Sequence, residues 1–151
     1  MADRTSSSII VAARRPTVMG VIADFGAYPE WATGVRSADV LEEGPGGRPK
    51  RVRFALDAGV IRDSYVLAYD WDGDGAVRWQ LADAGSVVTE MSGAYLLAED
   101  GIGTSVSYEL SVGTRVPMIG MLKRRAEKTI IETALKGLKS RAESVQRAER
   151  G

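Results

Sequence analysis

Two periodicities divide the chain. From Pro117 to about Arg147, apolar residues recur at Leu122, Ala126, Ile130, Ala134, Leu138, Ala142 and Val145, and Ile131 and Leu135 widen the stripe. That three-to-four spacing marks one buried face of a helix. Good helix formers fill the positions between, and the stretch holds just two glycines, Gly120 and Gly137. At 1.5 Å per residue such a helix runs roughly 45 Å. A compact domain of this length has a radius of gyration near ~15 Å, so the helix should cross the whole molecule.

Most of the chain before it alternates with period two. Ser6 to Ala12 predicts a strand. Pro16 then suits a first helical position, and Val18, Met19, Ile22 and Phe25 predict a short helix that ends at Gly26. Tyr28-Pro29-Glu30-Trp31 predicts a second short helix that carries Trp31 inward, closed at Gly34. Strands follow at Val35 to Glu43, Lys50 to Asp57, Ile61 to Trp71, around Val77, Trp79 and Leu81, at Val87 to Ala98, and around Val106, Tyr108, Leu110 and Val112. Turn residues separate them: Gly44-Pro45-Gly46-Gly47, Ala58-Gly59, Asp72-Gly73-Asp74-Gly75, Ala84-Gly85-Ser86 and Glu99-Asp100-Gly101. An antiparallel meander of about six to seven strands with one long, striped helix defines an α+β fold. The economical solution is a curved sheet whose concave face grips the helix.

Composition narrows what such a fold can do. The 151 residues suit one domain, residues 1–151, with a single sizeable core. Twenty basic and twenty acidic residues give a net charge of 0, so there is no long-range attraction for nucleic acid, and none is expected as a partner. There is no Cys and no His. Thiolate nucleophiles, imidazole bases and a Ser-His-Asp triad are therefore excluded. No phosphate loop, nucleophile elbow or dinucleotide glycine motif is present, and no cofactor is implied. No apolar run reaches the ~18 residues of a membrane span and no signal-peptide core opens the chain, so a cytoplasmic protein is expected.

Several side chains are candidates for chemistry. Asp70-Trp71-Asp72-Gly73-Asp74-Gly75 imitates the opening of a calcium-binding loop, but the twelfth position is Leu81 where a bidentate Glu is needed. Its flanks read as strands, so a solvated hairpin is expected and no metal site. Asp63 falls on the apolar face of its strand between Ile61 and Tyr65. There it could be a general base with a raised pKa, a polar anchor in a cavity, or a structural partner. Trp31, Phe54, Tyr65, Trp79, Met91, Tyr108, Met118, Met121 and Leu122 are the large side chains expected to face inward. They could fill a core or line an adaptable apolar pocket. Lys123-Arg124-Arg125 beside Met118-Ile119-Gly120-Met121-Leu122 is either a solvated helix face, a site of transient membrane contact, or a grip on an acidic ligand group.

The order of elements, with Ser8-Ile9-Ile10-Val11, Val21-Ile22-Ala23-Asp24 and Tyr28-Pro29-Glu30-Trp31, resembles the START-like (SRPBCC) superfamily. Gly93-Ala94-Tyr95-Leu96-Leu97, Gly103-Thr104-Ser105-Val106-Ser107-Tyr108 and Val116-Pro117-Met118-Ile119-Gly120-Met121-Leu122-Lys123-Arg124 place the likeness in its polyketide cyclase/dehydrase and coenzyme Q-binding branch, near small actinobacterial proteins labelled cyclases. The resemblance implies a helix-grip fold with a deep apolar cavity between sheet and terminal helix. It implies binding or transport of an apolar small molecule, such as a lipid, an isoprenoid quinone or a polyketide. The alternative is a polyketide cyclase, aromatase or dehydrase acting on a poly-ketone chain. Where such enzymes carry a Trp- and Arg-rich cluster, this chain reads Val60-Ile61-Arg62-Asp63-Ser64-Tyr65, with Arg62 outward, which weights binding over catalysis.

On that reading Tyr28, Trp31, Phe54, Tyr65, Trp79, Met91, Tyr108, Met118, Met121 and Leu122 line the cavity, and Tyr65, Tyr108, Asp63 or Arg125 orient the ligand. Asp63 and Tyr65 are the catalytic candidates. The first turns of the long helix, Met118 to Arg125 with Gly120 among them, read as a movable wall, and Ala134 to Val145 as packing. Monomer and homodimer stay equally open.

Overall fold

The computed structural model describes residues 4–57, 62–116 and 119–150. Strand β1 (Thr5–Val11) opens the fold, followed by helix α1 (Arg15–Ala23), a 3-10 turn at Phe25–Ala27 and the one-turn helix α2 (Tyr28–Trp31). Strands β2 (Val35–Glu43), β3 (Pro49–Asp57), β4 (Arg62–Asp72), β5 (Ala76–Asp83), β6 (Val88–Asp100) and β7 (Gly103–Thr114) lead to helix α3 (Gly120–Arg150). Each strand predicted from alternation is present. The turn expected at Ala58-Gly59, and Ile61, Pro117 and Met118, lie outside the described residues.

The seven strands form one sheet in the order β1-β7-β6-β5-β4-β3-β2, with every neighbouring pair antiparallel. Strands β2 to β7 are a plain meander. The chain reaches its far edge from β1 through α1 and α2, which close the space between the two edges. Alternation sets which face is inside: β7 buries Thr104, Val106, Tyr108, Leu110 and Val112 and leaves the residues between them half-exposed. These side chains meet α3 in a single apolar core.

The stripe of α3 is centred slightly off the predicted line. Ile131, Leu135, Leu138 and Ala142 are fully buried, and Ile130, Ala134 and Val145 pack only partly. Polar side chains fix the helix to the sheet. Glu127, 1 % exposed, accepts hydrogen bonds from Thr5 Oγ1 at 2.7 Å, Val112 N at 2.7 Å and Lys123 Nζ at 2.6 Å. Farther along, Lys139 Nζ donates to Ile10 O at 3.0 Å, and Ala12 N donates to Glu143 at 2.8 Å. The helix thereby caps the unpaired edge that β1 would otherwise present to solvent.

The acidic hairpin is a turn between β4 and β5, as expected. Arg48 serves it: the guanidinium donates to Gly73 O at 2.7 Å and Asp74 Oδ1 at 2.8 Å, and lies 5.2 Å from the Trp71 ring centroid.

Candidate functional site

A cavity of about 250 Å³ lies between the sheet and α3. The sheet contributes Phe54, Leu67, Tyr69, Trp79, Tyr95 and Tyr108 among others, and α2 contributes Tyr28 and Trp31. From α3 come Ala126, Thr129, Ile130, Thr133 and Ala134, whose spacing is one helical face beside the fully buried stripe. The helix thus divides its apolar surface between core and cavity. Thr33, Val35, Leu56, Asp57, Thr129 and Thr133 are half-exposed or exposed, and mark the end where the cavity meets solvent.

Local sequence explains how the rings are placed. Tyr65, Leu67 and Tyr69 follow each other at period two along β4, so all three point to the concave face. Tyr95 and Tyr108 are direct cross-strand partners, with ring centroids 4.6 Å apart in an edge-to-face arrangement. Trp79 stands opposite Gly93 in the register. A Cβ at position 93 would come within 2.5 Å of the Trp79 ring, so the glycine lets the indole lie against β6.

Seven of the side chains expected at the site are brought together here: Tyr28, Trp31, Phe54, Tyr65, Trp79, Met91 and Tyr108. Met121 and Leu122 are not. They are 80 % and 50 % exposed, because the first turn of α3 runs beyond the sheet. Lys123 and Glu127 already reach Ser111 and Val112, close to where β7 ends at Thr114, and the residues before them have no strand to pack on. Arg125 is exposed and does not line the cavity. Met118 lies outside the described residues. The cavity wall therefore falls at Ala126 to Ala134, later along the helix than Met118 to Arg125. The exposed first turn, with Ile119, Met121, Leu122, Arg124 and Arg125, is a separate surface, and Lys123 is engaged with Glu127.

Tyr69, Tyr95, Asp57 and the two threonines of α3 also line the cavity and were not among the expected site residues. A signal existed for most of them. Tyr69 shares the face of Tyr65, and Thr129 and Thr133 lie three and seven positions after Ala126. Nothing local marks Tyr95, whose position follows from its pairing with Tyr108.

Apart from Asp57 at the solvent end, which pairs with Arg62, the polar groups of the cavity are hydroxyls, an indole N–H and backbone groups. Burial raises the pKa of Tyr28, Tyr65, Tyr69, Tyr95 and Tyr108, and neighbouring tyrosines add to this for all but Tyr108. All five keep their protons at neutral pH. Tyr28 donates its hydroxyl to Ile22 O, and outside the cavity Trp71 Nε1 donates to Pro49 O at 2.7 Å. Trp31 differs. It is 8 % exposed, and among the described residues its Nε1 finds no acceptor. Its Cε3 edge, which lies across the indole from Nε1, rests on α3 at Gly137. A buried donor left unpaired costs about 1–3 kcal/mol, and this one is sealed from the cavity as well.

Asp63 has a different part from the general base it could have been. Its carboxylate accepts hydrogen bonds from Ser86 N at 2.9 Å, Val87 N at 2.9 Å and Val88 N at 2.8 Å. Burial pushes its pKa up, but the amides of Val88, Val87, Ser64 and Ser86 outweigh that and hold the carboxyl below its ordinary value. The expected raised pKa is thus reversed, because the side chain is clasped by the turn between β5 and β6. Asp63 is not among the residues that line the cavity. Arg62 points outward as expected and pairs with Asp57 at 3.2 Å.

The family described as "Polyketide cyclase / dehydrase and lipid transport" matches residues 2–143. The chain belongs to this family. Solved structures share the fold across nearly the whole length. A START superfamily protein from Mycobacterium smegmatis is similar at a TM-score of 0.86 and 21% identity, over 94% of this chain and 98% of that one. A protein from Thermus thermophilus gives 0.78 at 21% identity, covering 95% and 99%. The Zhui aromatase/cyclase from Streptomyces sp. R1128 gives 0.73 at 20% identity, covering 95% and 94%. At these identities the likeness is one of fold. A comparison with curated proteins finds no match. Among the described residues, no helix is long and apolar enough to cross a membrane.

Proposed function

We propose that this family member binds an apolar small molecule between its sheet and α3. The observation that carries the reading is the cavity of about 250 Å³ itself, walled by aromatic rings with a few polar atoms among them. That is the make-up of a small-molecule site. The volume lies just under the ~300–1,000 Å³ usual for such pockets, which favours a compact ring system or one short chain over a two-chain lipid. Affinity would come from burial of ligand surface at about 25 cal/mol per Å², less the cost of immobilising the ligand.

Two tryptophans, Trp31 and Trp79, line the cavity, so occupancy has an optical signal. Titration with a neutral apolar probe such as aminoanthracene is expected to quench Trp emission saturably at one site per chain. Solvent extraction of freshly purified protein followed by mass spectrometry is expected to release a bound apolar compound. No saturable quenching together with an empty extract overturns the reading.

A second reading, cyclisation of a poly-ketone chain, is favoured by the family description and by the similarity to an aromatase/cyclase. With Asp63 clasped by amides, proton transfer would fall to the hydroxyls of Tyr65 and its neighbours. A poly-ketone whose product profile is the same with and without the protein removes this reading. A profile changed by the protein but unaltered in Tyr65→Phe removes that tyrosine from it.

A further inference from the structure

We infer that the cavity opens a second time, through the sheet between β5 and β6, and that this slot takes the tail of a single unbranched chain longer than the cavity holds, with Met91 as the gate. This rests on the proposed binding function and extends its ligand class from compact molecules to long single chains.

The slot begins with the strand register. The ladder between β5 and β6 ends at Gln80 opposite Ser92, although β5 continues to Asp83 and β6 begins at Val88. Among the described residues, no ladder pair joins residues 81–84 to residues 89–91. At this level each strand carries a bulge against its other neighbour. Ala82 is the extra residue of β5 against β4, and Thr89 that of β6 against β7. Bulges bend a strand, and here they draw the two strands toward opposite neighbours. Asp63 holds the turn between them from the β4 side, through the amides of Ser86, Val87 and Val88. Gly85 permits that clasp, because a Cβ there would lie 2.1 Å from Asp63 Oδ2. Gly85 N donates to Val88 O at 3.0 Å and closes the far end of the opening. Bounded by the ladder at one end and this bond at the other, the opening is a slit, suited in shape to one alkyl chain and not to a ring.

Its lining supplies the chemistry. Ser92 and Ser111 are cross-strand partners whose side chains alternate with the inward Met91 and Val112, so they lie on the convex face. A hollow rimmed by these two serines reaches through the sheet to Leu81 and Met91, which pack in the core on the concave side. Ala82 and Ala84 form its apolar flank. Met91 lines both this hollow and the cavity, and so is the partition between them. An unbranched thioether side chain with three rotatable bonds swings aside at little cost. An alkyl tail that displaced it would be covered along the slot and would end at the polar rim.

The test uses the full chain and the displacement of aminoanthracene by n-alkanols from butanol to decanol. Affinity is expected to rise about fourfold per CH2 through the whole series, without levelling off once the cavity is full. Ser92 is not among the residues that line the cavity, so Ser92→Trp plugs the slot from the convex face alone. It should weaken decanol about tenfold, the worth of roughly two buried CH2 groups, and leave butanol unchanged. Ser107→Trp, the same change on the same face farther along the sheet, is the control and should alter neither. The amide resonances of Thr89, Glu90 and Ser92 in the natural chain should shift with decanol and not with butanol, and they decide alone should Ser92→Trp not fold. Affinity that levels off before decanol, equal decanol affinities in the two Trp variants, or amides that decanol leaves in place overturn the inference and leave the binding function standing. Failure of every alkanol to displace a probe that itself binds does the same. Failure of probe and alkanols alike to bind overturns both.

Discussion

Glycine inside a helix ordinarily costs about 1 kcal/mol relative to Ala, so propensity alone makes Gly137→Ala a stabilising change. The structure reverses that sign. The added methyl would lie 2.2 Å from the Trp31 carbonyl oxygen, a backbone atom that moves only if α2 moves. Gly137→Ala is expected to destabilise the fold by about 1–3 kcal/mol, read as a lower urea midpoint, and to weaken aminoanthracene binding as Trp31 shifts. Gly120→Ala is the contrast. Its nearest neighbour to an added Cβ is an Arg124 side-chain nitrogen at 3.9 Å, so the change should leave stability unchanged or raise it by up to ~1 kcal/mol, with a midpoint no lower than that of the natural chain. Along the chain the two glycines look alike, each a gap in one helical stripe. Only the contact with α2 separates them, and contacts between distant segments leave no mark on local periodicity. That is why the sequence pointed to Gly120 and the structure points to Gly137.

At the scale of elements, periodicity located every strand and the long helix, because each side chain pattern is imposed by one neighbouring surface. It was less informative where one helix serves two surfaces. On α3 the core stripe (Ile131, Leu135, Leu138, Ala142) and the cavity face (Ala126, Thr129, Ile130, Thr133, Ala134) lie side by side. Sequence merges them into one broad band and extends it to Leu122, whose position past the sheet is a tertiary fact. Glu127 is the clearest case of a hidden role. As a charged residue it reads as solvated, yet it is buried and joins β1, β7 and α3 through Thr5, Val112 and Lys123. Its loss would leave a buried amide and a hydroxyl without their acceptor, and the Lys123 ammonium with only the 3.5 Å contact to Ser111. Glu127→Ala is expected to cost about 3–5 kcal/mol, and Glu127→Gln less, since the amide oxygen can still accept. Urea unfolding checks both. If Glu127→Ala costs no more than the change at a half-exposed Glu on α3, such as Glu132→Ala, the anchor is unimportant.

For the whole molecule, the fold is an open sheet closed at two places by carboxylates that accept backbone amides. Asp63 ties β4 to the turn between β5 and β6, and Glu143 ties α3 to the end of β1 through Ala12 N. The Lys139 side chain, hydrogen-bonded to Glu143, and then the Ala12 amide hold the Glu143 carboxyl below its ordinary value, as amides do for Asp63 against the opposing effect of burial. A carboxyl with a depressed pKa in the folded state binds its proton less readily there than in the unfolded chain. Its contribution is complete above the ordinary values of 3.8 for Asp and 4.5 for Glu, and is lost as pH falls through the lower folded values. Stability should therefore be flat near neutral pH with respect to these two groups and decline in acid, starting below about pH 4.5. Asp63→Asn keeps one acceptor oxygen and loses the charge, so it should cost about 2 kcal/mol at neutral pH, or a fall in Tm of roughly 4–8 °C. The difference from the natural chain should shrink as pH drops, because acid neutralises the same group in the natural protein. A pH series of urea midpoints for the natural chain, Asp63→Asn and Glu143→Gln decides it. Curves that run parallel down to pH 3 would mean that the clasps hold by shape and not by charge. With no His in the chain, any titration of stability between pH 6 and pH 8 would have to come from groups other than side-chain imidazoles.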